Sequence, residues 1–141
     1  MQITRQADYA VRAVLYLAGL GEGARAATGL IARKQQVPPS FLAKIISQLS
    51  VAGILQTSRG ARGGVSLARR PSEISLLEVV EVIDGPVSMN ACVIDPGICD
   101  RVEDCPVHQI WCQAQQRLVK ELSETTFATI LERRPDRSVQ Q

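Results

Sequence analysis

The feature that most constrains this chain is one amphipathic segment, residues 39–52, with a turn before it and a glycine-rich stretch after it. Its apolar residues recur at the i, i+3, i+4, i+7 spacing of a single helix face. They are Leu42, Ile45, Ile46 and Leu49. Proline is tolerated in the first turn of a helix and glycine commonly follows the last, which fits Pro39 and Gly53. The segment therefore predicts a helix with one buried face and an opposite face of small and polar residues.

Two further helices are predicted ahead of this segment. The first runs from Thr4 or Asp8 to Leu20, with apolar residues at helical spacing along one face. That face comprises Val11, Val14, Leu15 and Ala18. The second begins near Thr28, whose hydroxyl can serve as an N-cap, and ends near Lys34 before a turn. Because aromatic residues make up only 4% of the chain, the core must be aliphatic, which suits packed helices.

A two-stranded hairpin is predicted after the amphipathic segment. Residues 54–58 and 65–68 have β-type composition and flank the sequence Arg-Gly-Ala-Arg-Gly-Gly at positions 59–64. Helix, short turn, helix and basic hairpin follow one another in the order of a winged helix-turn-helix. The alternative is a simple helical hairpin followed by an ordinary glycine turn.

The distribution of charge favours the DNA-binding interpretation. Residues 1–70 contain ten Lys or Arg residues and two acidic residues, whereas residues 71–141 contain six basic and twelve acidic residues. A basic half suggests contact with a polyanion, here double-stranded DNA. The alternative is a solvated surface with uneven charge. The candidate groove-reading residues are Ser40, Lys44, Ser47 and Gln48, and the candidate wing residues are Arg59, Gly60 and Arg62.

All four cysteines lie within one short stretch of the second half, at positions 92, 99, 105 and 112. The amino-terminal segment does not resemble a secretory signal, so we expect a cytoplasmic protein with reduced thiols. Six residues separate Cys92 from Cys99 and five separate Cys99 from Cys105, spacings wider than those of zinc knuckles. They favour an iron–sulfur cluster, with His108 as a nearby additional ligand. The alternatives are a zinc-bound regulator, a regulator with an unligated thiol switch, and a small iron–sulfur protein that does not bind DNA. Cys112 is expected to be a buried small hydrophobe on a helix, and less readily a ligand or resolving thiol.

The carboxy-terminal region predicts three helices and a loop. Ser75 and Glu78 form a capping box that opens a helix through position 83. A long helix is predicted from position 104 or 105 to 123, and a short one over 127–132. The long helix carries an apolar stripe of Val107, Ile110, Trp111, Ala114, Leu118 and Leu122. Two copies packing antiparallel would bury the stripe and place two recognition helices on successive half-sites of an imperfect palindrome. The alternative is a monomer that folds this helix onto its own winged domain.

The predicted fold is therefore mostly α with a small β-wing, in four segments. They are a winged helix-turn-helix DNA-binding domain (1–84), a cysteine-bearing cluster-binding loop (85–105, the cysteine loop), a dimerisation helix with a short closing helix (106–132) and a disordered tail (133–141). No paired carboxylates, activated nucleophile or phosphate loop is evident, so we expect no enzyme. No apolar run approaches the roughly 20 residues of a membrane span.

Four parts of the sequence together resemble the IscR/NsrR/RirA regulators over about residues 1–132. They are Met1 to Thr4 with Asp8 to Arg12, the segment 42–55, the wing 59–64, and Cys92, Cys99, Cys105-Pro-Val-His108 and Trp111. The resemblance implies a homodimeric repressor or activator whose three loop cysteines bind a 2Fe–2S or 4Fe–4S cluster. Such regulators sense iron, cluster supply, nitric oxide or redox state.

The resemblance also leaves two candidates for the fourth ligand of the cluster. IscR-like members use a histidine matched here by His108, and NsrR-like members use an aspartate of the partner's first helix, matched here by Asp8. The alternative for Asp8 is an i, i+4 ion pair with Arg12. The sequence departs from IscR in a first cysteine gap longer by one residue. It also has Ala43 where IscR-like proteins carry a base-reading glutamate, so the target sequence is not implied.

Overall fold

The computed structural model describes residues 2–133, and the predicted disordered tail beyond Arg133 lies outside the described residues. The helices and strands are α1 (Arg5–Gly19), α2 (Thr28–Gln35), α3 (Pro39–Val51), β1 (Leu55–Ser58), β2 (Gly64–Leu67), α4 (Leu76–Asp84), α5 (His108–Glu124) and α6 (Phe127–Glu132). Three single-turn 3-10 helices span Pro71–Glu73, Ala91–Val93 and Pro96–Ile98. The mostly α fold with a small β-wing is confirmed. Among the described helices, none has the length and apolar character needed to cross a membrane.

Helix α1 lies at the centre of the core and contacts α2, α3, α4 and α6. The hydroxyl of Thr4 caps it by accepting the Ala7 amide at 3.1 Å. Its buried positions are largely alanine, which lets neighbouring helices approach closely, with larger side chains at Val14 and Leu17. The predicted face was only partly correct, because Val11 and Leu15 are half-buried at its edges. The main core around α1 is filled by Phe127 and by aliphatic side chains from every α-helix except α5.

The helix-turn-helix consists of α2, a tight turn and α3. Gln36 adopts a left-handed conformation (φ 54°) at the end of α2, and the Val37 amide donates back to the Ala32 carbonyl at 3.0 Å. Thr28 is the first residue of α2 rather than its N-cap, because Ala27 occupies the cap position. Helix α3 begins at Pro39 as predicted and ends one residue early. Its four predicted apolar residues are all buried, which confirms the face.

The wing is an antiparallel hairpin in which Leu55 pairs with Leu67 and Ser58 with Gly64. The sequence did not predict a further bridge between Ala26 and Val65, which share two backbone hydrogen bonds of 3.0 and 2.8 Å. Gly64 is required there, since a Cβ would lie 2.8 Å from the Ala26 carbonyl oxygen and φ is +149°. The hairpin is thereby fixed to the segment that precedes α2.

Arg69 joins the end of the wing to α4. Its Nε donates to the Gly53 carbonyl at 3.2 Å, one terminal nitrogen donates to the Glu73 carbonyl at 3.3 Å, and the other pairs with the Glu78 carboxylate. Ser75 caps α4 by accepting the Glu78 amide at 3.1 Å. The predicted capping box is therefore only half formed, because the Glu78 carboxylate faces Arg69. Through these contacts Arg69 holds the turn after α3 against α4.

Replacing Arg69 by methionine should lower the free energy of unfolding by about 1–3 kcal/mol. The guanidinium and its three acceptors lose their hydrogen bonds, while an aliphatic side chain of similar length is kept. Urea denaturation followed by circular dichroism measures this loss. The matched control is Arg70→Met, at an exposed neighbouring position, which should change the unfolding free energy by less than about 0.5 kcal/mol. Equal effects of the two substitutions would show that Arg69 does not support the fold.

Helix α5 begins at His108, later than predicted, because residues 101–107 form successive turns in which Asp104 and His108 amides bond to residues three positions earlier. The apolar stripe divides into two parts. Leu118 and Leu122 pack in a second cluster with Ala7, Val80 and Val87 of the same chain. The other part, Val107, Ile110 and Trp111, is 41%, 58% and 37% exposed. Two of the six stripe residues therefore pack within the chain, as the monomer alternative expected for the stripe.

Helix α6 has the predicted bounds and closes the core. Thr126 caps it by accepting the Thr129 amide at 3.2 Å, and Phe127 is fully buried among the residues of the main core. Backbone bonds from Leu76 to Thr125 (2.8 Å) and from Phe127 to Ile74 (3.1 Å) fix α6 beside the start of α4.

Candidate nucleic-acid interface and cysteine loop

The outer face of α3 presents the predicted groove-reading residues together. Ser40, Lys44 and Ser47 are exposed and Gln48 is half-buried, all opposite the face that enters the core. Short hydroxyl and amide side chains can donate to and accept from base edges, and a lysine can pair with a phosphate. The face is therefore suited to a helix that enters a major groove.

The wing tip places two guanidinium groups in solvent on a tight turn. Arg59, Gly60 and Arg62 are all exposed. The Gly63 amide donates to the Gly60 carbonyl at 2.9 Å, and Gly60 has a φ of +99°. A Cβ at Gly63 would collide with the Ser58 carbonyl oxygen, so the turn demands glycine there. This geometry holds both arginines on a short protrusion that can approach phosphates.

Arg25 is a basic residue at the wing that the sequence analysis missed. One of its terminal nitrogens donates to the Arg62 carbonyl at 3.3 Å, and the side chain is exposed. The bridge between Ala26 and Val65 brings it there. No local pattern signals this placement, because the bridge joins segments far apart in the sequence. Arg25 therefore adds a third exposed basic side chain beside the wing tip.

The cysteine loop brings Cys92 close to His108 and Cys112. The Cys92 thiol lies 3.3 Å from Nδ1 of His108 and donates to Oδ1 of Asn90 at 3.2 Å. The Cys112 thiol lies 3.5 Å from Nε2 of His108. Cys112 is half-buried rather than fully buried. The sequence analysis missed its contact with His108, which their i, i+4 spacing could have indicated.

Among the described contacts, the thiols of the other two loop cysteines form no hydrogen bond with this group. Cys99 is exposed after the Pro96–Ile98 turn, and Cys105 is half-buried just ahead of α5. All four cysteines are free thiols. Within residues 2–133, no three His, Cys, Asp or Glu side chains are arranged to hold a metal ion. The three predicted cysteine ligands therefore share one loop, but in the described residues they do not converge on one point.

Asp8 lies on the exposed side of α1 and pairs with Arg12 at 2.7 Å. This is the i, i+4 ion pair that the sequence offered as the alternative to metal binding. The Arg12 guanidinium also lies 5.7 Å from the centre of the Tyr9 ring. Both carboxylate and guanidinium remain about half exposed, so the pair is open to competition from a partner.

Comparison with known proteins finds relatives over nearly the whole chain. A family model described as Rrf2, iron-dependent transcriptional regulator, matches residues 3–133. A Mycobacterium tuberculosis protein named as an HTH-type transcriptional regulator is 35% identical over 133 residues, which are 92% of this chain and 81% of that protein.

Two solved structures show the same fold. The global cysteine regulator CymR of B. subtilis superposes with a TM-score of 0.81 at 21% identity, covering 96% of this chain and 99% of that one. IscR of T. potens superposes with a TM-score of 0.73 at 21% identity, covering 100% and 97%. The regulators of the matched family bind DNA and are not enzymes. The chain belongs to the Rrf2 family of DNA-binding transcriptional regulators.

Proposed function

We propose that the protein is a homodimeric regulator whose affinity for DNA is set by an iron–sulfur cluster held by Cys92, Cys99 and Cys105. The observation that carries this proposal is the closure of the cysteine loop. Cys92 near its start and His108 just after its end lie 3.3 Å apart although they are 16 positions apart in sequence. A loop closed at its base can wrap a ligand with side chains from its middle.

The donor set suits a cluster. Three free thiols are soft ligands that favour iron–sulfur clusters, zinc or copper(I). The imidazole of His108 is a further nitrogen ligand suited to iron, zinc and copper. The loop backbone is held mainly by short-range turns, and Cys99 is exposed, so it can turn inward without disturbing the core. When bound, such a cluster supplies reversible electron transfer at a potential tuned by its ligands.

Two residues are candidates for the fourth ligand. His108 already lies beside Cys92, so its binding needs little additional ordering. Asp8 of the partner subunit is the alternative, and it would connect the cluster directly to the DNA-binding domain of the other copy. For that, Asp8 must exchange its ion pair with Arg12 for the metal.

The dimer is proposed from the exposed part of the α5 stripe. Val107, Ile110 and Trp111 form an apolar surface on one helix, and a second copy of the same surface, packed antiparallel, would remove it from water. A two-fold pair would present two α3 helices to successive major grooves of an imperfect palindrome. Because it acts on DNA, we place the regulator in the cytoplasm.

On the DNA, α3 would read bases and the wing would contact phosphates or the minor groove. Ser40, Lys44, Ser47 and Gln48 face the groove, while Arg59 and Arg62 reach from the wing with Gly60 allowing close approach. Arg25 adds a third guanidinium beside the wing tip.

The double substitution Arg59→Ala and Arg62→Ala should weaken binding to the upstream region of the protein's own gene by about 10- to 100-fold, corresponding to ~1–3 kcal/mol. The dependence of log affinity on log salt should fall by about two units, because two phosphate contacts are lost. Fluorescence anisotropy over a range of salt concentrations measures both. Arg117→Ala, at an exposed position on α5, serves as the control. Unchanged affinity and salt dependence of the double variant would refute the assignment of the wing.

A thiol switch is the second candidate, because Cys92 and Cys112 both contact His108. If His108 swings aside, hydrogen peroxide could oxidise the two thiols to one disulfide, with two protons and two electrons reducing the peroxide to two waters. Peptide mapping by mass spectrometry would then find Cys92 linked to Cys112 with the loss of two hydrogen atoms. Absence of this linkage after peroxide treatment of cluster-free protein would exclude that switch.

A further inference from the structure

Gln115 of α5 binds the backbone at the start of the cysteine loop by two hydrogen bonds. Its Oε1 accepts the Met89 amide at 2.9 Å, and its Nε2 donates to the Val87 carbonyl at 2.6 Å. A primary amide carries an acceptor and two donors. One glutamine side chain can therefore bond both a backbone N–H and a backbone C=O, as a paired β-strand does. The segment 87–89, which we name the stem, is thereby fixed three residues ahead of Cys92.

The stem is also fixed to α4. The Val87 amide donates to the Glu81 carboxylate at 3.1 Å, and the Val87 side chain is buried in the cluster that includes Val80 and Ala7. The stem therefore sits between α5, which supplies Gln115, and α4, which supplies Glu81.

Helix α4 in turn contacts the DNA-binding elements at both of its ends. At its end, Asp84 accepts the Thr4 amide at 3.1 Å and the Thr4 hydroxyl, and Thr4 caps α1. At its beginning, Glu78 pairs with Arg69, which also binds the turn after α3. Side-chain and backbone contacts therefore run without a gap from Gln115 through the stem and α4 to α1 and the base of the wing.

We propose that Gln115 is a positioning residue that couples the state of the cysteine loop to the DNA-binding domain. The coupling rests on the proposed function, whereas the fixation of the stem does not. Cys99 lies in the exposed middle of the loop and is free to rearrange around a ligand, while the stem is held on two helices. A rearrangement of the loop then displaces the stem together with α4 and α5, because no flexible segment separates the stem from these helices.

The test compares Gln115→Leu, which keeps the size of the side chain and loses both bonds, with Gln115→Glu, which keeps the acceptor and loses the donor. Gln116→Leu is the matched control, because Gln116 is the exposed neighbour on α5. Two quantities are measured: hydrogen exchange of the Met89 amide in cluster-free protein, and the ratio of DNA affinities of cluster-loaded and cluster-free protein.

For Gln115→Leu, exchange at Met89 should accelerate by about tenfold, as expected for the loss of one net hydrogen bond. The affinity ratio should fall towards one while the visible absorption per protein stays at the wild-type level. Gln115→Glu should lie between this variant and wild type, and Gln116→Leu should match wild type in both measurements.

Wild-type exchange in Gln115→Leu would overturn the fixation of the stem, and a wild-type affinity ratio would overturn the coupling. Loss of the absorption in this variant would also overturn the coupling, since Gln115 would then act on cluster retention. If the wild-type protein itself binds DNA with equal affinity in its cluster-loaded and cluster-free states, both the proposed function and the coupling are refuted. The hydrogen exchange of the Met89 amide would still decide whether Gln115 fixes the stem.

Discussion

Alanine at any one of Cys92, Cys99 and Cys105 should abolish the visible absorption of the anaerobically prepared protein, whereas Cys112→Ala should keep it. The three residues share a loop that can fold around a cluster, while Cys112 is held on α5 and contacts only the far nitrogen of His108 among the described ligand candidates. Because a cluster needs thiolate on its irons, loss of one ligand is expected to remove most of the chromophore. Absorption spectra and iron content per protein measure the effect. A Cys99→Ala protein with the wild-type spectrum would exclude Cys99 as a ligand and contradict the proposed three-cysteine site.

The same spectra and electron paramagnetic resonance identify the fourth ligand. We expect His108→Ala to change the spectrum and Asp8→Ala to preserve it, because Nδ1 of His108 already faces Cys92 and Asp8 is paired with Arg12. The opposite result would assign the ligand to Asp8 of the partner subunit. Wild-type spectra from both variants would leave Cys112 or a small molecule as the ligand.

Ile110→Asp should dissociate the proposed dimer. Ile110 is 58% exposed in the single chain, so the substitution should leave the folded monomer intact, but it would place an unpaired carboxylate in the interface. We expect a loss of roughly 3–5 kcal/mol in association. Leu118 is a poorer probe, because it also packs against α4 in its own chain.

Sedimentation velocity over a range of concentrations measures this dissociation, with circular dichroism to confirm that the variant remains folded. Gln109→Asp, at the exposed preceding position, is the matched control and should remain dimeric. A variant that sediments as the same dimer as wild type would place the interface elsewhere.

The parts of the fold that local patterns determine were predicted well. The periodicity of α3 identified its buried face, and glycine and arginine between two β-type runs identified the wing. Helix α6 was predicted with its observed bounds. In these segments the secondary structure that the local sequence favours is also the one that the tertiary packing stabilises.

Features that depend on contacts between distant segments could not be predicted. The bridge between Ala26 and Val65 and the three contacts of Arg69 join residues from separate elements, so no period or cap reveals them. The beginning of α5 was placed too early because helical spacing continued into residues whose backbone forms turns.

In the cysteine loop, too, a contact between residues distant in sequence could not be predicted. The sequence placed His108 near Cys105 because they are close along the chain. In the structure, the ring of His108 lies between Cys92 and Cys112, and the contact with Cys92 spans 16 positions. Its contact with Cys112 was not predicted, although their i, i+4 spacing on a helix could have indicated it, and the contact with Cys92 depends on how the loop closes.

The most direct test of the account compares the DNA affinity of one protein preparation before and after its cluster is removed. Protein prepared without oxygen is titrated against fluorescent DNA from upstream of its own gene, first loaded and then after chelation of the iron, at one fixed salt concentration. We predict a brown loaded protein and a change in the dissociation constant of at least about fivefold, the lower end of typical coupling between two sites. A chromophore with equal affinities in both states, or no chromophore at all, would contradict the account.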